Sequence, residues 1–238
     1  MINIVLKELK KYASAKRKTS NELFFKTGKG QYGEGDVFIG VSNPDARSVV
    51  KKFESLPFED IKDTLASEIH EARFVGVLIL VTQYEKAKDE AIQLQIAQFY
   101  LQNMERVNNW DLVDASAHKI IGQAILDGMI DEKLLDTLAK SNIMWERRVA
   151  IIATLAFIKE SHYDVTLRIT KKLLSDKEDL MHKAVGWMLR EVWKKDSVLC
   201  EEFLLAHYSR LPRTTLRYAI ERMEEGKRKK FLMMKNES

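Results

Sequence analysis

The sequence predicts an all-α protein, a HEAT-like or armadillo-like superhelix of stacked helix pairs. Three observations lead there. Only 10 Gly and 3 Pro occur in 238 residues, so long helices can run with few interruptions. Hydrophobic residues make up 45% and charged residues 31%, a balance that supplies a sizeable core and a solvated exterior. A similar helical segment also recurs along the chain. It starts at Arg73 (RFVGVLIL), Trp110 (WDLVDASA), Arg148 (RVAIIATL), Lys183 (KAVGWMLR) and Arg217 (RYAIERM), at spacings of 37, 38, 35 and 34 residues. A helix pair repeating at this period cannot bury its apolar face alone and stacks on its neighbours.

Residues 2 to 18 place Ile4, Val5, Leu9 and Tyr12 among lysines, the pattern of one amphipathic helix, and a short helix is expected over Asn21 to Lys26. Residues 27–36 hold four of the ten glycines within eight positions and must be a loop, read as a flexible connection. After Phe38-Ile-Gly-Val41, a helix is expected near Asn43, which can cap it, with Pro44 in its first turn. Helices then follow at 58–69, 71–87, 89–105, 109–126, 131–141, 144–159, 163–175, 178–194, 197–207 and 212–223. Short polar connections suit antiparallel neighbours. The expected organisation is one domain over 1–238: N-terminal helices with the glycine loop (1–56), stacked pairs (57–225) and a basic tail (226–238).

Thirty-nine Lys and Arg against 35 Asp and Glu give a formal charge of +4, which permits a nucleic-acid partner without requiring one. The lone Cys200 excludes an intramolecular disulfide, and no apolar run reaches membrane-spanning length. A cytoplasmic monomer with no obligate protein partner is expected.

Gly28-Lys-Gly30-Gln-Tyr-Gly33 matches G-x-G-x-x-G, but no strand precedes it and no companion nucleotide motif follows. Lys26, Lys29 and nearby backbone amides remain an option for phosphate contact. His70, His118, His162, His182 and His207 are never paired at i, i+4, so no metal is expected, and with G-x-S-x-G missing a triad hydrolase has little support; no cofactor is expected either. Cys200 reads as a structural thiol in an amphipathic helix.

Asn108-Asn109-Trp110-Asp111-Leu112-Val113-Asp114 opens a helix, with either Asn as its cap. Trp110 and Asp114 are four apart and share one face, an aromatic wall beside a carboxylate that suits a planar cation. Asp111 is placed to favour the helix N-terminus electrostatically. Trp145-Glu-Arg-Arg148 opens the next landmark, and Gly186-Trp187 lies in the one after it. Gly186 is unfavourable within a helix and hints at close approach of a neighbouring helix or a ligand. Leu211-Pro-Arg213-Thr-Thr-Leu-Arg217 offers either a phosphate-contact cluster or an ordinary helix start.

The segments NNWDLVD (108–114), WERRVAI (145–151), KAVGWMLRE (183–191) and LPRTTLRYAIE (211–221), with FFKTGKGQYGEGD (24–36) and FIGV (38–41), resemble the AlkD-like DNA alkylation repair glycosylases across nearly the whole chain. The resemblance implies an enzyme that excises cationic N3- and N7-alkylated purines from duplex DNA without a base-specific pocket. Trp110, Asp114 and Trp187 would face the lesion's deoxyribose, and Arg148 would support the DNA backbone. Arg190, Arg213, Arg217, Lys29 and Phe24 complete the expected DNA-binding set, with Phe24 or Phe25 as the N-terminal aromatic contribution. Where the family has Tyr, the hydroxyl is missing here. The alternatives are a non-catalytic helical-repeat protein that binds DNA structures, and a protein-interaction solenoid.

Overall fold

A computed structural model describes residues 4–234, so the first residues of the expected 2–18 helix and the tail beyond 234 lie outside the described residues. The described chain is helical almost throughout, and its one β feature is an isolated parallel bridge between Val37 and Ile69. Packing falls into two compact units, Met1–Ile120 and Ile121–Ser238.

In the first unit, the expected 2–18 helix is interrupted. Ile4–Leu9 runs into a tight turn at Lys10–Tyr12, Ala13 is extended, and a second helix occupies Ala15–Phe24. The break is stable because Ser14, also extended, caps the new helix by accepting from the Arg17 amide. Ser42, rather than Asn43, caps Asn43–Lys52 by accepting from the Asp45 amide. Two helix pairs follow: Phe58–Leu65 with His70–Lys86, and Glu90–Gln102 with Trp110–Ser116.

His70–Lys86 is the central element of this unit, with Ala72 through Val81 wholly buried. Its Glu71 carboxylate collects three backbone amides, from Ile39 (3.1 Å), Gly40 (2.8 Å) and Val41 (3.2 Å). Charged acceptors make strong hydrogen bonds, so this one side chain fixes the segment after the glycine loop. Gly40 has φ +81°, and a Cβ there would lie 2.1 Å from the Ser14 carbonyl oxygen, so the segment passes tightly over the preceding helix start.

Three more pairs make up the second unit: Lys133–Leu138 with Met144–Ala153, Asp164–Leu173 with Asp179–Lys195, and Ser197–Ala206 with Arg213–Ala219. Each repeated landmark therefore lies in the second helix of a pair. The expected helix over 109–126 is divided into Trp110–Ser116, a wide π turn at His118–Gly122, and Gln123–Leu126. At Gly122 a Cβ would meet the Ala153 carbonyl oxygen at 2.1 Å, so only glycine permits this approach. The expected 144–159 helix is split at Thr154, whose hydroxyl donates to the Ile151 carbonyl (2.7 Å).

Much of the basic segment after 225 is helical. Glu225–Met233 is a helix with Phe231 buried. It is held by the Tyr208 hydroxyl, which lies 2.7 Å from the Phe231 carbonyl and 2.9 Å from that of Met234. Pro44, Pro57 and Pro212 all stand at helix starts, as their missing amide hydrogens require. Cys200 is buried, and burial pushes its thiol up to about 12.

Candidate functional site

Trp110 is the first residue of its helix, and the fully buried Asn109 is the cap, its side-chain oxygen accepting from the Trp110 amide at 2.8 Å. One turn further on, Asp114 is half-buried on the same face. Behind it, the buried Tyr100 hydroxyl pairs with Ser116 at 2.9 Å. Burial above all, with the nearby negative charge of Asp114 adding to it, pushes the Tyr100 phenol well above its ordinary range. Asp114 therefore stands near a neutral, fixed hydroxyl pair.

Both N-terminal aromatics reach Trp110. Phe25 stacks on it, with centroids 5.1 Å apart and planes within 12°, whereas Phe24 meets it edge-on at 5.7 Å. Phe24 is 66% exposed and Phe25 only partly so. Stacked and edge-to-face aromatic pairs each add roughly 0.5–1.5 kcal/mol beyond burial, so the indole plane is held rather than free to swing. An open cleft of ≈ 650 Å³ runs beside it, lined by Lys16, Arg17, Ser20, Phe24 and Trp110 among others.

The glycine loop is hydrogen-bonded within itself and to the helix before it. Gly33 donates to the Lys26 carbonyl, and a Cβ on it would meet the Phe25 oxygen at 2.3 Å. The Tyr32 hydroxyl lies 3.2 Å from the Phe24 carbonyl. The Gly28 and Gly30 amides are taken by the side chains of Gln31 and Glu34, so these two do not point to phosphate. Lys29 is exposed at the loop's outer edge.

The loop ends on Asp36, where a buried cluster forms. One Asp36 oxygen pairs with the Arg73 guanidinium; the other accepts from Asn109 (2.7 Å) and from His70 Nδ1 (3.2 Å). His70 Nε2 reaches Asp111 at 2.8 Å, so Asp111 holds a buried cation as well as standing at a helix start. Burial, the largest influence on His70, works to lower its pKa, but the Asp111 charge and the hydrogen bonds to Asp111 and Asp36 prevail and raise it to about 9. For Asp36 burial works upward, and His70, Arg73 and Asn109 together outweigh it and lower the carboxyl.

In the second unit, Arg148 is buried and donates to the Leu180 carbonyl at 2.6 Å. Leu180 and Trp187 are seven residues apart in Asp179–Lys195, two turns along one stripe. Trp187 is half-buried, and its Nε1 donates to Glu191 at 3.0 Å. Beside it, a Cβ on Gly186 would stand 2.5 Å from Tyr218 Cβ and 2.6 Å from the Thr215 oxygen. Of the two close approaches expected at Gly186, a helix or a ligand, the structure shows a helix, Arg213–Ala219.

The arginines differ in freedom. Arg190 is paired with Glu221, and Arg213 donates to the Leu232 carbonyl (3.0 Å) and reaches the Tyr208 hydroxyl (3.3 Å). Arg217 is exposed. Among the described residues, no group of three or more His, Cys, Asp or Glu is arranged to hold a metal ion, and no helix is long and apolar enough to cross a membrane.

The sequence reading missed the cluster of Asp36, His70, Arg73 and Asn109. His70 lies 34 residues from Asp36 and 41 from Asp111, and no local pattern links such distant positions. The one signal was an acidic residue closing a glycine-rich loop.

These features define a helical-repeat protein that presents an anchored tryptophan and a carboxylate on one helix face. The family model described as DNA alkylation repair enzyme matches residues 5–223, and the chain belongs to that family. A solved structure from Enterococcus faecalis, named as a predicted DNA alkylation repair enzyme, shares the fold with a TM-score of 0.67 at 18% identity, covering 90% of this chain and 97% of that one. No curated protein matches the sequence.

Proposed function

We propose that the protein is a monofunctional DNA glycosylase that hydrolyses the N-glycosidic bond of cationic N3- and N7-alkylated purines in duplex DNA, acting as a monomer without a cofactor. The observation that carries this reading is the fixed Trp110 plane with Asp114 one turn beyond it.

An alkylated purine is already positively charged and departs as a neutral base, so no strong general acid is required. Bond cleavage develops oxocarbenium character on the deoxyribose. The Asp114 carboxylate stabilises that charge or orients the attacking water, and the electron-rich faces of Trp110 and Trp187 add to the stabilisation. Exposed Arg217 and Lys29 contribute contacts to phosphate in this reading, and Arg148, buried against the Leu180 carbonyl, would have to turn outward to support the DNA backbone. Arg190 and Arg213 would have to exchange their protein partners for phosphate to do the same.

The test is release of 7-methylguanine or 3-methyladenine from methylated duplex DNA, with Asp114→Asn as the matched control. Binding without any base release would sink the glycosylase reading. It would favour instead a non-catalytic protein that binds DNA structures.

A further inference from the structure

We infer that His70 is a positioning residue for the Trp110–Asp114 face, bridging Asp36 and Asp111 so that the glycine loop, Phe25 and the start of the Trp110 helix are fixed as one block. The effect on base release rests on the glycosylase reading; the structural coupling does not.

The bridge acts on Trp110 by two routes. Through Asp111, His70 holds the residue next to Trp110 in the first turn of its helix, at 2.8 Å. Asp111 also accepts from the Leu112 amide at 2.9 Å, so its carboxylate is bound on both oxygens. The second route is stacking. The His70 ring lies against Phe38 (4.6 Å) and Phe25 (4.8 Å), and Phe25 is the plane on which Trp110 rests. Asp36 draws the loop and the Asn109 cap into the same cluster.

An imidazole can donate to carboxylates from both nitrogens only when both carry hydrogen, so a ring placed between two carboxylates favours the imidazolium. The groups facing it are Asp36 from the loop and Asp111 from the Trp110 helix, with Arg73 paired to Asp36 on the far side. On the ring's own helix, Glu71 is turned to the amides of residues 39–41. Two cations and two carboxylates balance, which is how a charge so deeply buried is tolerated. Loss of one proton leaves one ring nitrogen facing a carboxylate oxygen to which it can no longer donate, and the block loosens. A displacement of about 1 Å at a reacting group can slow a reaction roughly 10²-fold, so this block is where positioning is set.

The experiment uses the full chain. His70→Gln removes the charge, and Asp111→Asn removes one side of the bridge while leaving His70 with Asp36. Helical content, duplex binding and single-turnover base release are measured, together with the pH titration of Trp110 emission, taken as the difference from Trp110→Phe. Both variants should bind duplex nearly as the parent does and release base roughly 10²-fold more slowly. The parent's emission should change with a midpoint near 9, and the transition should vanish in His70→Gln. Should His70→Gln fail to fold, Asp111→Asn decides with the same readouts. A parent rate in a folded variant that retains duplex binding, or no emission transition near pH 9 in the parent, overturns the inference. A parent that shows the transition but releases no base overturns the glycosylase reading and leaves the positioning of Trp110 standing.

Discussion

Trp110 and Trp187 are both half-buried on helix faces, yet they are held by different means. Trp110 is fixed by a stack of aromatic rings over a buried cluster of charges supplied by three separate segments. Trp187 sits on a helix whose neighbour approaches at Gly186, and its indole is tethered one turn along its own helix to Glu191. The first arrangement depends on charge and therefore on pH. The second depends on shape, and is sensitive to a single added carbon. One fold thus uses electrostatic and steric precision in different units to place the same kind of side chain.

The largest expected effect removes the carboxylate on the Trp110 face. Asp114→Asn should lower single-turnover base release by about 10²–10³-fold with little change in duplex binding, as expected when charge stabilisation in the transition state is lost. A rate close to the parent's would move the chemistry away from Asp114.

Gly186→Ala tests the steric arrangement. The new Cβ would meet Tyr218 and the Thr215 oxygen inside normal contact, and overpacking costs about 1–3 kcal/mol, partly offset by the better helix propensity of Ala. Chemical denaturation should show a net loss of stability, and an unchanged midpoint would mean that the helices part without cost.

The electrostatic arrangement is tested by pH. The folded pKa of His70 is raised from 6.5 to about 9, so the stability it supplies is fully present below pH 6.5 and is lost as pH rises through about 9. Denaturation midpoints of the parent should fall across that window relative to His70→Gln. Parallel curves for the two proteins would contradict a charged His70.

The smallest effect is expected at the exposed Arg217, where Arg217→Ala should flatten the salt dependence of duplex binding by about one counterion. The partnered Arg190 and Arg213 should change the slope less, since in the free protein they already engage Glu221 and the C-terminal helix.

Much of this protein was legible in the order of its residues. The scarcity of Gly and Pro and the recurring landmark determined an all-helical chain of successive pairs, because helical periodicity is local and repeats wherever the pattern does. Spacing alone put Asp114 one turn beyond Trp110, and a glycine inside a helical pattern announced the close approach at Gly186. Only the tertiary structure decided that Ser14 and Thr154 divide expected helices, that Glu225–Met233 forms a helix seated on Tyr208, and that the glycine loop folds back onto Phe24 through Tyr32. It alone brought Asp36, His70, Arg73 and Asp111 together. Their attraction acts through space between residues far apart in the chain, where burial strengthens it, and no pattern along the sequence records that distance.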